Sequence, residues 1–220
     1  MQEYLVGALG LFVVLVGITG WRVWQYTVWY QRALQVHNPF SKSPIIFMPD
    51  HYPLSEEFKG RLRKTVSVYQ ILHNEGCSPS IVVTCGKLIG WPEPIADVDK
   101  MKLVGQGVPE ANVHTSLGTR NRGAADTFEE VRLACDFVKK YDRFTRMHIV
   151  TNPLQGCQIF MIAVRQRVLP HLEVTPFLME RPFYVAGKLF QILLTFYSPR
   201  GKNPISLVQR YVRRHVSSKW

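Results

Sequence analysis

Short apolar runs alternate with longer segments of helical periodicity through the middle of this chain. The runs have the length of strands, and the segments between them repeat apolar residues every three or four positions. Strands separated by helices pair in parallel through right-handed crossovers. The sequence therefore predicts an α/β fold with a doubly wound, mainly parallel sheet of the Rossmann-like kind. The predicted strands cover residues 44–48, 80–84, 112–116, 147–151 and 172–178, and the predicted helices cover 58–72, 97–104, 126–141 and 155–168.

A sheet of this kind brings the loops after its strands to one edge, where ligands bind. The loop after the fourth predicted strand is polar but carries no acid, base or metal ligand. Gln155 and Gln158 can exchange neutral hydrogen bonds but are poorly suited to acid–base catalysis. We therefore expect a binding edge. Its candidate ligand-binding residues are Asp50, His51, Thr84, Gly86, Lys87, Thr127, Glu129, Thr151, Asn152, Gln155 and Gln158.

Charged residues elsewhere on the predicted edge leave a catalytic alternative open. Asp50 and His51 form the best pair for proton transfer, although neighbours in sequence need not share a substrate. Glu129 either orients a ligand or completes a capping box begun by Asp126. Each edge residue that could supply charge also fits a solvated loop position. These residues are His51, Lys87, His114, Arg120 and Arg122.

The sequence lacks the motifs of several common kinds of cofactor binding and catalysis. It has no dinucleotide-binding glycine fingerprint, Walker loop, nucleophile elbow or zinc-protease motif. The four cysteines form no C-x-x-C pair and no metal-like spacing, so we predict reduced cysteines that mostly pack in the core. No metal site is predicted.

The amino terminus predicts a membrane anchor. Residues 4–21 contain no charge, and a helix needs about 20 residues to cross the hydrocarbon of a bilayer. An aromatic belt with Arg22 follows at once, as at a membrane interface. A signal peptide would have basic residues before the run and small residues after it, and a buried core helix would have a polar face. We therefore predict an uncleaved single-pass anchor within residues 1–43.

The carboxyl terminus, residues 181–220, is basic and rich in apolar residues. It holds eight Lys or Arg and no Asp or Glu, in a chain whose formal net charge is +11. The apolar stretch 183–198 is interrupted by Lys188, which favours an interfacial helix on anionic headgroups over a span. Nucleic acid is the competing partner for these basic residues. The membrane is favoured because the predicted anchor already holds the chain near lipid. Basic residues that follow the anchor favour a cytoplasmic position for residues 44–180.

Three stretches resemble a bacterial family typified by SanA, ElyC and YdcF. Residues 107–109 match its Gly-Val-Pro turn, and 126–130 match its Asn-Thr-x-Glu-Asn helix start with both asparagines replaced by acids. Residues 150–152 begin its Val-Thr-Ser-x-x-His-x-x-Arg motif, in which Gln155 replaces the histidine and Gln158 the arginine. The family's Ser-Gly-Gly corresponds to residues 84–86. The resemblance covers about residues 44–178.

The resemblance implies that the domain follows a membrane anchor and lies in the periplasm. The basic residues after the anchor favour the cytoplasm instead, so the two arguments conflict. It also makes S-adenosylmethionine a ligand to test. Three functions stay open at this point. The chain binds a small anionic or nucleotide-like ligand in envelope or lipid-carrier homeostasis, it is an enzyme for a phosphorylated or lipid-linked substrate, or it is a catalytically silent membrane scaffold.

Overall fold

The computed structural model describes residues 2–36, 42–49, 55–85, 93–116, 124, 126–142, 146–176, 182–198, 207, 208 and 211, with the side chains of the first helix described from residue 12 on. Six helices and five strands alternate along this part of the chain. In order they are α1 (Gln2–Val36), β1 (Ile45–Phe47), α2 (Glu56–Asn74), β2 (Ser80–Val83), α3 (Ile95–Gly105), β3 (Val113–Thr115), α4 (Thr127–Asp142), β4 (Met147–Thr151), α5 (Pro153–Arg165), β5 (Pro170–Val174) and α6 (Pro182–Tyr197), with a short 3₁₀ turn at Glu110–Asn112 before β3.

The strands form one parallel sheet in the order β3-β2-β1-β4-β5. This confirms the predicted α/β fold with a Rossmann-like parallel sheet. The chain builds outward from β1 in one direction and then returns to place β4 on its other side. The topological switch point, where such sheets open a crevice for ligands, therefore lies between the carboxyl ends of β1 and β4.

Alternation along each strand divides the core into two layers. Ile45 and Phe47 of β1 pack with α4 and α5 on one face, whereas Ile46 packs with α2 and α3 on the other. Both layers are fully buried along the central strands, so the sheet is covered on both sides as all-parallel sheets require. The described elements thus form a helix–sheet–helix sandwich.

Helix α5 and strand β5 differ most from their predicted bounds, and the other predicted strands and helices differ by at most two residues at an end. Helix α5 begins at Pro153, because the side chain of Asn152 accepts a hydrogen bond from the backbone of Gln155 at 2.8 Å and caps the helix. It ends at Arg165, and Arg167 then turns the chain with a φ of 61°. The fifth strand begins at Pro170 and ends at Val174, earlier than the predicted 172–178.

None of the four cysteines forms a disulfide bond, and two of the four pack in the core as predicted. Cys85 and Cys135 are buried, and burial raises the pKa of the Cys135 thiol to about 12. Cys135 therefore acts as a small apolar residue of the core. Cys157 is exposed on α5, and Cys77 is partly exposed.

Helix α1 packs along α5 and α6 through its carboxyl-terminal half. Tyr30 stacks on Phe160 of α5 with ring centroids 5.8 Å apart, and Tyr26 stacks on Phe196 of α6 at 5.5 Å. Arg22 donates a hydrogen bond of 2.8 Å to the carbonyl of Tyr197.

Among the helices of the described residues, none has both the length and the apolar character that crossing a membrane requires.

Candidate functional site

The predicted binding edge lies where the chain leaves the carboxyl ends of β1, β2 and β4. Thr84 follows β2, Thr151 ends β4, and Asn152 and Gln155 open α5, so the structure brings these four residues to the same edge. All four are buried. The other candidates of the edge loops lie outside the described residues. These are Asp50, His51, Gly86, Lys87, Arg120 and Arg122.

A buried arginine occupies the switch point. Arg61 of α2 has no exposed surface, and its Nη1 donates a hydrogen bond of 3.0 Å to the carbonyl of Pro49 after β1. Its Nη2 donates to Oε1 of Gln155 at 2.7 Å and forms an ion pair with Glu57. One guanidinium therefore connects the end of β1, the start of α5 and the first turn of α2.

The local sequence explains how α2 presents this pair. Glu57 and Arg61 are four residues apart, so they lie on one face of the helix. Ser55 caps α2 by accepting a hydrogen bond of 3.1 Å from the backbone of Phe58, which starts the helix at the sheet edge. The first turns of α2 therefore face the crevice. Asn152 completes the network, since its side-chain amide donates to Glu57.

Gln158 is engaged one turn further along α5. Its Nε2 donates a hydrogen bond of 3.2 Å to Oγ1 of Thr195, and that hydroxyl donates to the carbonyl of Gln191 at 2.7 Å. Gln158 and Thr195 are both buried. The position that carries arginine in the SanA/ElyC/YdcF pattern is therefore covered by α6 in this chain.

Two hydroxyls at the edge are buried without a hydrogen-bond partner within the described ranges. They belong to Thr84 and Thr151. Each lies two residues after a residue of the α4/α5 core layer, Val82 and Ile149, so both side chains point to that face of the sheet. Gly156 of α5 approaches Thr151 closely, and a Cβ added there would lie 3.4 Å from the threonine methyl group. Orphan buried hydroxyls of this kind call for a polar partner.

The start of α4 lies beside the end of β2. The backbone of Ala124 donates a hydrogen bond of 3.0 Å to the carbonyl of Thr84. The Asp126 carboxylate accepts from the backbone of Glu129 at 2.9 Å, which confirms the predicted cap. Glu129 is buried and Thr127 is partly exposed, and both lie in the first turn of α4. A ligand-orienting role for Glu129 stays a prediction.

One predicted position is wrong and one central pair was missed. His114 does not lie in an edge loop, because it is the middle residue of β3 and packs against Phe137 with ring centroids 5.0 Å apart. Burial, and then the charge of Lys100, lower the pKa of His114. The missed residues are Glu57 and Arg61. Their i,i+4 spacing was the one signal, and exposed ion pairs show the same spacing.

Comparison with known proteins gives no relative, since no family model, curated protein or solved structure matches this chain. The resemblance to the SanA/ElyC/YdcF family stays a prediction.

Proposed function

We propose that this chain is a membrane-anchored α/β protein that binds a small anionic or nucleotide-like ligand at the switch point between β1 and β4. The observation that carries the proposal is the buried Arg61 at this point. Arginine is the side chain best suited to phosphate and carboxylate, because its planar fork matches their geometry. Crevices at switch points are where sheets of this type bind ligands.

The charge around Arg61 supports an anionic ligand. Arg61 is the one cationic side chain among the described residues that are buried, and Glu57 neutralises it. An incoming phosphate or carboxylate would share or replace Glu57 as the partner of the guanidinium. The hydroxyls of Thr84 and Thr151 would then serve polar groups of the same ligand, since no described residue uses them.

The ligand proposal can be tested by calorimetric titration of the full-length protein in nanodiscs. The probes are S-adenosylmethionine and a panel of nucleotide sugars. We expect saturable heat with one probe and weaker binding in Thr151→Val. Thr65→Val is the matched control, because Thr65 is also a buried threonine whose hydroxyl has no described partner, but it lies one helical turn beyond Arg61 on α2. Equal losses in both variants would contradict a site at the sheet edge.

Exposed apolar side chains support the membrane part of the proposal. The side chains of α1 between residues 12 and 18 include six large apolar residues that are 44–64% exposed. On α6, Leu189, Phe190 and Leu193 are about half exposed, and this helix contacts α1 through Phe196. Large exposed apolar patches mark membrane or protein contacts. We propose that residues 4–21 insert in the bilayer and that α6 lies at its interface.

The charge bias supports a cytoplasmic position for the α/β domain. Arg22, Arg32 and Lys42 follow the uncharged segment, and positive residues favour the cytoplasmic side. Cys157 offers a native reporter because it is exposed. In a Cys77→Ser variant, a membrane-impermeant maleimide should label Cys157 only after the cytoplasmic membrane is opened. Labelling with that membrane intact would place the domain on the outer side, as the family resemblance implies.

A catalytically silent scaffold is the second candidate. The hydrogen bonds of Gln155 to Arg61 and of Gln158 to Thr195 favour it, because both positions are occupied by internal contacts. Absence of heat from a well-folded protein in the titration would support this candidate. The enzyme alternative rests on His51, which lies outside the described residues, or on His114, which lies within β3.

A further inference from the structure

Two histidines and a glutamate meet on the outer strand pair of the sheet. His148 of β4 lies directly opposite His171 of β5 in the parallel register, and Glu173 follows two residues later on the same face. The ring centroids of the two histidines are 4.9 Å apart. Val150, two residues after His148, packs in the layer covered by α2, so the three side chains lie on the α2 face of the sheet.

Two of the distances within this trio match those between ligands of one metal ion, and the third pair is close enough to share one. Oε1 of Glu173 lies 3.2 Å from Nδ1 of His148 and 3.4 Å from Nε2 of His171. The three donor atoms all lie within 4.8 Å of one another. Ligands bound at 2.0–2.1 Å in a tetrahedral zinc site are about 3.3 Å apart, and two histidines with one glutamate form a known zinc ligand set.

A lysine of α2 orients the carboxylate of this trio. Nζ of Lys64 lies 3.2 Å from Oε2 of Glu173 and so leaves Oε1 to the imidazoles. Partners of this kind orient metal ligands.

We propose that His148, His171 and Glu173 form a binding site for Zn²⁺ or a similar divalent transition metal. The site is open on one side, because the side chain of His171 is 48% exposed. A groove of about 480 Å³ between α2 and Pro176 also reaches Lys64 beside the trio. Three protein ligands with solvent access leave a position for water or a ligand group, as in zinc sites that are not closed. The proposal is independent of ligand binding at Arg61.

The test is a calorimetric titration with ZnCl₂. The full-length protein is first treated with a chelator and is kept in detergent. We expect one Zn²⁺ per chain, and an affinity at least about 10-fold lower in His171→Ala and in Glu173→Gln, since losing even a supporting partner of a ligand costs that much. The control is His73→Ala, which removes an exposed imidazole in the last turn of α2. Its affinity and stoichiometry should equal those of the wild type.

A second readout uses Co²⁺ in place of zinc. The wild type and His73→Ala should show the visible absorption of tetrahedral cobalt, and His171→Ala should lose it while its circular dichroism is unchanged. His171→Ala is expected to fold, because the side chain that it removes is half exposed. The proposal would be overturned if the folded wild type bound no metal. Equal binding by the wild type, His171→Ala, Glu173→Gln and His73→Ala would also overturn it, and the trio would then be a hydrogen-bonded cluster only.

Discussion

Replacing Glu57 with glutamine tests whether the switch point holds a buried ion pair. The side chain of Arg61 has no exposed surface and that of Glu57 is 9% exposed. Glu57→Gln keeps the shape of the side chain but removes the negative charge that Glu57 places beside the guanidinium. Removing one partner of a buried pair costs about 3–5 kcal/mol, because the remaining charge is desolvated and uncompensated. We expect the lower end of this range, since the glutamine carbonyl can still accept hydrogen bonds.

The assay is urea unfolding of the full-length chain in detergent, followed by far-ultraviolet circular dichroism. Glu56→Gln is the matched control on the same helix, because the Lys59–Glu56 pair has side chains that are 55% and 58% exposed. Exposed pairs are screened by solvent, so the control should change the unfolding free energy far less. Glu57→Gln/Arg61→Met removes both charges of the pair, and much of the stability should return. A Glu57→Gln variant no less stable than Glu56→Gln would refute the buried pair.

Three further outcomes follow from the same contacts. Gln158→Arg should lower the unfolding free energy by about 3 kcal/mol or more, because it buries an unpaired cation under α6; an unchanged urea midpoint would show that the α5–α6 contact is open. The folded-state pKa of His114 is lowered, so the unfolded state binds more protons below about pH 6.5 and stability should fall there as the pH decreases. The loss of unfolding free energy at low pH, measured with chelator present, should be smaller in His114→Gln than in the wild type. An equal loss in both proteins would show that other groups cause it. A maleimide should label exposed Cys157 in the native protein while buried Cys135 reacts only after unfolding, and early labelling of Cys135 would show that this core layer opens.

The periodicity of the sequence was sufficient to predict the architecture. All five predicted strands and the helices between them are present, because short apolar runs such as 80–84 and amphipathic segments such as 126–141 have different periods. The edge that gathers Thr84, Thr151 and Gln155 also followed from parallel pairing alone. Local pattern and global fold agree in these regions, as they do in sequences that specify one structure.

The side-chain partners could not be predicted in the same way. Glu57–Arg61 and Glu56–Lys59 are both acid–base pairs on one helix, and only tertiary packing buries the first and exposes the second. The meeting of His148 with Glu173 depends on the register of β4 against β5, which separate stretches of sequence do not reveal. The hydrogen bond between Gln158 and Thr195 depends on how α6, which is distant in sequence, packs against α5.

The most direct test of the proposed function is a calorimetric titration of the wild type and Arg61→Lys with S-adenosylmethionine and the nucleotide sugars. Lysine keeps the positive charge but lacks the planar fork that holds two oxygens of an anion. If the switch point binds an anionic ligand, the wild type gives saturable heat with one probe. Arg61→Lys, folded by circular dichroism, should then bind at least about 10-fold more weakly, which corresponds to about 1.4 kcal/mol. No heat from the folded wild type, or equal affinity in both proteins, would contradict a ligand site at Arg61.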